Sequence, residues 1–184
     1  MEYLNIRDNY LSQKESDELF NSIIELGLEC EPKGKIFGKE IIFHRNIGFF
    51  SDDSIGYKFS GRLMKSRKLT VDLKNLLNKV NSEFNAKYNG ILINLYKDGS
   101  DYISMHRDNE SEIGDETIRC ISLGCSRIFR LRNYNNKREK YDVITGHGQM
   151  IEMLNECNEK YTHEIVKDRS TDIRISITFR HHRI

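Results

Sequence analysis

The feature that most restricts the fold of this chain is a change of texture at Gly90. Beyond it, short runs rich in β-branched and aromatic residues alternate with polar turns, at 91–96, 118–123, 128–132, 141–144, 149–154 and 173–179. Side chains of a strand point alternately to its two faces. Runs this short and this often interrupted therefore suit an antiparallel sandwich or barrel. A further strand or hairpin arm is predicted over 36–43. Upstream, Ser12 and Glu15 form a capping box that opens a helix running to about Gly27, with Leu19, Phe20, Ile23, Ile24 and Leu28 as its apolar stripe. Thr70 is placed to cap a second helix. There Leu73, Leu76, Leu77, Val80 and Phe84 share one face, and Asn89-Gly90 is its expected end. The prediction is an α+β protein, with N-terminal helices packed against an antiparallel double-sheet barrel.

The length of 184 residues suits one domain. A hydrophobic fraction of 38% and a charged fraction of 31% provide for a core and a wetted surface. No apolar run is long enough to span a bilayer, and the first residues lack a basic stretch followed by an apolar one. The four cysteines form no CxxC pair. These features predict reduced thiols in the nucleus or cytoplasm, no secretion and no membrane partner. The net charge of +1 excludes a uniformly basic nucleic-acid coat but allows local patches. One patch is Arg62, Lys65, Arg67 and Lys68; another spans 127–140, with Arg127, Arg130, Arg132, Lys137, Arg138 and Lys140. Either could also be an ordinary solvated face.

His106 and Asp108 are two residues apart, so in extended chain they point to the same side and can share an ion. With His163 they would make a two-histidine, one-carboxylate face that leaves the rest of an octahedral iron(II) open. Zinc would prefer a closed tetrahedral set, and no cysteine pair supplies one. His-x-Asp is common, and two surface polar residues are the plain alternative. Near the C-terminus, Arg174, Ser176, Thr178 and Arg180 fall on one face of an alternating strand. Inward arginines need anions, and 2-oxoglutarate offers two carboxylates that guanidinium binds bidentately; an edge strand with a charged solvent face is the other reading.

Taken together, Asn94-x-Tyr96-x-x-Gly99-x-Asp101-x-Ile103-x-x-His106-x-Asp108-x-Glu110, then His163, then Arg174-x-Ser176-x-Thr178-Phe179-Arg180 resembles the AlkB family of nucleic-acid dealkylating dioxygenases. The likeness covers about 91–180. Upstream, Ile36-Phe37-Gly38-Lys39, His44-Arg45 and Tyr57-Lys58-Phe59-Ser60-Gly61 resemble the substrate lid of the eukaryotic DNA-repair branch. The resemblance implies a double-stranded β-helix (jelly-roll) core over 91–184, with helices and a nucleotide-recognition lid over 1–90, in a single catalytic domain. It implies that His106, Asp108 and His163 hold iron(II). Asn94 and Arg180 would hold the 2-oxoglutarate carboxylate beside the metal, and Tyr96 and Arg174 the distal one. Ser176 and Thr178 lie along the same strand. Glu110 would meet the exocyclic edge of a flipped base, Tyr57 and Phe59 would flank it, and Phe37 would wedge into the gap left in the duplex. Arg45, Arg130 and Arg132 join the expected substrate contacts.

The implied activity is oxidative demethylation of N-alkylated bases in DNA, with RNA as a further substrate, by a monomer using iron(II), 2-oxoglutarate and O2. Three departures from the family pattern are visible. Ser176 stands where Asn is frequent, Asn109 where the repair branch often has an acid, and no proline closely follows His163. Two other functions also fit parts of the pattern. A 2-oxoglutarate hydroxylase of a protein or small molecule would need the metal and cosubstrate residues alone, whereas a non-catalytic nucleic-acid-binding module would need neither.

Overall fold

A computed structural model of the chain describes residues 2–36, 38–60, 62–108 and 117–182, leaving aside the side chains of Ile36, Phe59 and Asn155. In chain order the elements are β1 (Leu4–Arg7), α1 (Gln13–Ile24), β2 (Lys33–Ile36), β3 (Lys39–Ile42), β4 (Asn46–Phe50), β5 (Gly56–Phe59), β6 (Arg62–Lys65), α2 (Val71–Phe84), β7 (Gly90–Tyr96), β8 (Ile103–His106), β9 (Ile118–Gly124), β10 (Ile128–Asn133), β11 (Lys140–Ile144), β12 (Gln149–Met153), α3 (Asn155–Lys160), β13 (Tyr161–Ile165) and β14 (Arg174–Arg180). The larger sheet has the order β1-β12-β9-β14-β7-β4 and the smaller β11-β10-β13-β8. Every pairing within them is antiparallel. Two hairpins, β2-β3 and β5-β6, complete the strands.

The larger sheet is buried on both sides at its centre, because β7 and β14 are apolar at one parity and chemically varied at the other. Ile91, Ile93, Ile175, Ile177 and Phe179 pack toward Leu73, Leu76, Leu77 and Val80 of α2 and Leu19 and Ile23 of α1. Burying an aliphatic side chain of this size fully contributes roughly 1.5–3 kcal/mol, so this face anchors the sheet on the helices. The opposite parity, including Asn94, Tyr96, Arg174, Ser176, Thr178 and Arg180, faces the smaller sheet and lines a cavity of about 660 Å³. The closed end between the sheets is filled by Tyr96, Ile118, Phe129, Leu131, Ile151, Met153 and Ile165.

Ser12 caps α1 with the predicted reciprocal bonds to Glu15. The second helix stops earlier than the sequence suggested. It ends at Phe84 with Asn85 in the left-handed region (φ 47°), and Asn81 then clamps the following turn by bonds to the backbone N–H and C=O of Tyr88. The predicted arm at 36–43 corresponds to β3, over 39–42, which pairs with β2 in a hairpin. The segments 4–7, 46–50, 56–59, 62–65, 103–106 and 161–165 form strands that the hydrophobic pattern did not announce.

Candidate active site

β8 and β13 pair so that His163 lies directly across from His106. The two imidazoles leave the sheet together, with ring centroids 4.2 Å apart. Asp108 comes in from the end of β8. Its Oδ1 is 3.6 Å from His106 Nε2 and its Oδ2 is 3.7 Å from His163 Nε2. One ligand atom from each residue falls within 4.8 Å of the other two. Asp108 and His163 are buried and His106 half-buried, so the cluster is approached from one side.

Neighbouring groups set the orientation of these ligands. A carbonyl can only accept, so the 2.8 Å contact of His106 Nδ1 with Ser104 O places the proton on Nδ1 and leaves the Nε2 lone pair facing the cluster. Asn158 of α3 holds the backbone of Asp108 from both sides: its Oδ1 accepts from Asp108 N at 3.1 Å, and its Nδ2 donates to Asp108 O. No motif in the sequence marked Asn158. Its helix brings it there, and only the fold could reveal the contact.

Burial, followed by the proximity of His106, pushes the His163 imidazole down to about 3. Burial alone would raise the Asp108 carboxyl, but Arg180, His163 and His106 outweigh it and hold the group well below the usual carboxylate range. Neutral imidazole and ionised carboxylate are the forms that bind a metal. Two nitrogens, one carboxylate and an open side match an octahedral iron(II) better than a closed tetrahedral zinc.

The β7-β14 register supplies the second half of the site. Arg174 lies across from Tyr96 and Ser176 across from Asn94; β9 sets Ser122 beside Ser176 and Cys120 beside Thr178. Arg174 is only 1% exposed. Its Nη2 donates to Ser122 Oγ at 2.9 Å and its Nε to Thr145 Oγ1 at 3.3 Å, while Nη1 has no hydrogen-bond partner among the described residues. A guanidinium this deep without a carboxylate costs several kcal/mol, so an anionic ligand fits the position. Arg180 sits at the metal end and bonds Asp108 Oδ2 through Nη2 at 2.8 Å. Asn94 Oδ1 accepts from Arg45 Nε at 2.8 Å, which leaves the amide NH2 of Asn94 to donate elsewhere. The cavity therefore offers a guanidinium toward each end and the amide donor of Asn94, groups that suit a dicarboxylate.

The other expected contacts divide. Tyr57 and Arg45 line the cavity, and Tyr57 packs against Phe49 and His182. Phe37 and Glu110 lie outside the described residues, as does the side chain of Phe59. Arg130 and Arg132 are not brought to the cavity: Leu131 and Phe129 hold the inward parity of β10, and Arg130 makes a two-bond ion pair with Asp142. Arg127 does not belong to a surface patch. It is 1% exposed, and it donates to the carbonyls of Asp98, Asp101 and Val166 and pairs with Asp168. His182 is buried, with its backbone bonded to the Asn89 side chain. Cys120 belongs to the cavity wall.

A double-sheet β-fold with two histidines and an aspartate at its open end, backed by buried arginines, defines a class: the non-haem iron(II) oxygenases that consume 2-oxoglutarate. The family model described as the 2OG-Fe(II) oxygenase superfamily matches residues 4–180, and the chain belongs to that superfamily. Within it the chain resembles proteins of the AlkB type. It is 28% identical over 178 residues to the DNA oxidative demethylase ALKBH2 of Homo sapiens, covering 90% of this chain and 68% of that protein. It is 27% identical to the Bos taurus ALKBH2, of whose length it spans 64%. An uncharacterized protein, R406, of Acanthamoeba polyphaga mimivirus is 27% identical, with 93% of this chain and 91% of that protein covered. Among solved structures, OsALKBH1 superposes with a TM-score of 0.66 at 13% identity, over 97% of this chain and 98% of that one. A prolyl hydroxylase from Trichoplax adhaerens gives 0.65 at 14%, over 98% of this chain and 83% of that one. At such identities these two bear on the fold alone, and they support the jelly-roll core.

Proposed function

We propose that this protein oxidatively removes alkyl groups from N-alkylated bases, with alkylated DNA as the substrate and RNA as a further one. The observation that carries the reading is the meeting, in one cavity, of the His106–Asp108–His163 cluster with the buried guanidiniums of Arg174 and Arg180. The human, bovine and mouse relatives named as DNA oxidative demethylases support the choice of substrate. In this reading His106, Asp108 and His163 hold iron(II); Arg180 and Asn94 bind the near carboxylate of 2-oxoglutarate, and Tyr96 and Arg174 the far one. Ser176 and Thr178 contribute small polar groups along the same wall. Bound iron(II), with 2-oxoglutarate and O2, supplies the oxidation that yields succinate, carbon dioxide and a hydroxylated alkyl group, which departs as formaldehyde.

The chain's own part is placement and exclusion of water. The Ser104 carbonyl fixes the His106 tautomer, Asn158 fixes Asp108, and Arg45 fixes the Asn94 amide. An alkyl group on a pairing nitrogen makes its base cheaper to extrude, and Tyr57 stands in the wall where an extruded base would arrive. Phe37, Phe59 and Glu110 are the further proposed contacts, with Arg130 and Arg132 reaching phosphate at a distance from the cavity. A nuclear or cytoplasmic location and a monomeric state belong to the same proposal. Among the described residues no helix is long and apolar enough to cross a membrane.

The test is to load metal-free protein with iron(II), 2-oxoglutarate and a methylated oligonucleotide without oxygen, then admit air. The expected result is succinate together with an oligonucleotide lighter by one methylene. An unaltered oligonucleotide beside succinate formation would refute the substrate assignment while leaving the oxygenase intact.

A further inference from the structure

At the mouth of the cavity His44 and Tyr102 lie face to face. Their ring centroids are 5.3 Å apart and their planes 18° from parallel. The backbone N–H of Tyr102 donates to His44 O at 3.1 Å, so the two segments that carry the rings are tied together. The ammonium of Lys167, which follows the strand of His163, lies 4.3 Å from the centre of the Tyr102 ring. Both rings line the cavity, His44 is exposed and Tyr102 half-buried. Beside them Arg107, also on the cavity wall, holds its guanidinium 4.4 Å from the ring centre of Tyr134. The nearby acids are engaged: Asp101 is buried and accepts from Lys97 N, and Asp168 pairs with Arg127. Flat π-faces bordered by cations at the entrance to a deep pocket are the elements with which proteins hold unpaired bases and their phosphates.

We infer that His44, backed by Tyr102 with Lys167 over the Tyr102 ring, forms a stacking platform for the base of a nucleotide next to the one drawn into the cavity. The inference rests on the proposed nucleic-acid substrate and adds to it a second subsite with its own recognition. Extruding one nucleotide breaks the stack on either side of it. A platform at the rim restores a π-contact to an adjacent base at the place where that contact is lost, and Lys167 faces the phosphate between the two. Such a site favours single strands and opened duplexes over an isolated nucleotide, because a mononucleotide has no neighbour to stack.

The test uses full-length His44→Ala and Tyr102→Ala, with Tyr102→Phe as the conservative variant, each first checked for an unchanged melting temperature with metal bound. Affinity and KM are measured for a short methylated single-stranded oligonucleotide and for the same methylated base as a mononucleotide. The expected result is oligonucleotide affinity weakened about tenfold by either alanine, as for the loss of one base–aromatic stack. Tyr102→Phe should remain near wild type, as should mononucleotide turnover in all variants. Equal oligonucleotide affinity for wild type and both alanine variants would overturn the platform alone. A wild-type protein that binds no oligonucleotide would overturn the platform together with the substrate reading.

Discussion

Arg180 Nη2 stands 2.8 Å from Asp108 Oδ2, in a pair whose members are 5% and 3% exposed at the side chain. The guanidinium thus compensates the metal-binding carboxylate when no cation is coordinated. Removing one partner of a buried pair leaves the other uncompensated, at a cost of about 3–5 kcal/mol. Arg180→Met is expected to lower the melting temperature of the metal-free protein sharply. Added Mn(II) should then stabilise the variant more than it stabilises wild type. Thermal melts with and without Mn(II) check this, and an equal metal-induced rise in both proteins would contradict it.

Arg174 offers a test of cosubstrate binding. Its planar fork is held by Ser122 and Thr145 with Nη1 left over, and lysine cannot reproduce that geometry. Arg174→Lys should raise the KM for 2-oxoglutarate about 10- to 100-fold, the range expected for losing charge-assisted bonds of 1.5–3 kcal/mol. Iron affinity should change little, since Arg174 does not touch the His–Asp–His cluster. Succinate assays at varied 2-oxoglutarate, beside metal titrations, separate the two effects.

The pH dependence of the metal-free protein follows from His163. Its folded value of about 3 lies below the ordinary value of 6.5. Between these limits the unfolded chain binds a proton that the folded chain does not. Stability is therefore retained above about pH 6.5 and falls as the pH drops toward 3, with a limiting slope of about 1.4 kcal/mol per pH unit for one such group. The depressed Asp108 carboxyl acts in the same direction, below the ordinary carboxylate range. Urea midpoints at stepped pH should show the decline, and His163→Gln should flatten it between pH 6 and pH 4.

Arg127 carries a structural prediction. It ties the segment before β8 to the segment after β13, by bonds to the carbonyls of Asp98, Asp101 and Val166 and an ion pair with Asp168. Arg127→Met leaves the carbonyls of Asp101 and Val166 without their side-chain donor and Asp168 without its cationic partner, and should cost about 3–5 kcal/mol. Asp168→Asn, at a more exposed partner, should cost clearly less. Denaturant unfolding of both variants decides the order.

The sequence made the site more legible than its frame. His106, Asp108 and His163 could be brought together on paper because a shared ion demands particular side chains, and the inward face of Arg174 and Arg180 could be read because the strand kept its alternation. The stop of α2 was missed because Asn89-Gly90 looks like a terminator, whereas Asn85 adopts the left-handed turn first. The strand at 161–165 was missed because it follows the short helix α3 and contains few apolar residues in alternation. Arg127 was misread because local composition cannot distinguish a buried arginine satisfied by distant carbonyls from a surface one. The contacts of Asn158 and Arg45 depend on residues far away in the chain, so no local pattern could carry them.

The alternation along β7 and β14 joins two properties that proteins often keep apart. The isoleucines that fasten the sheet to its helices and the polar residues that line the cavity are odd and even members of the same two strands. Inserting a single residue midway through β14 would turn Arg174 or Arg180 toward the hydrophobic layer and an isoleucine into the cavity. Mutational drift can therefore change these side chains one at a time but cannot change their count, and length variation in this family member should be confined to the connections between strands.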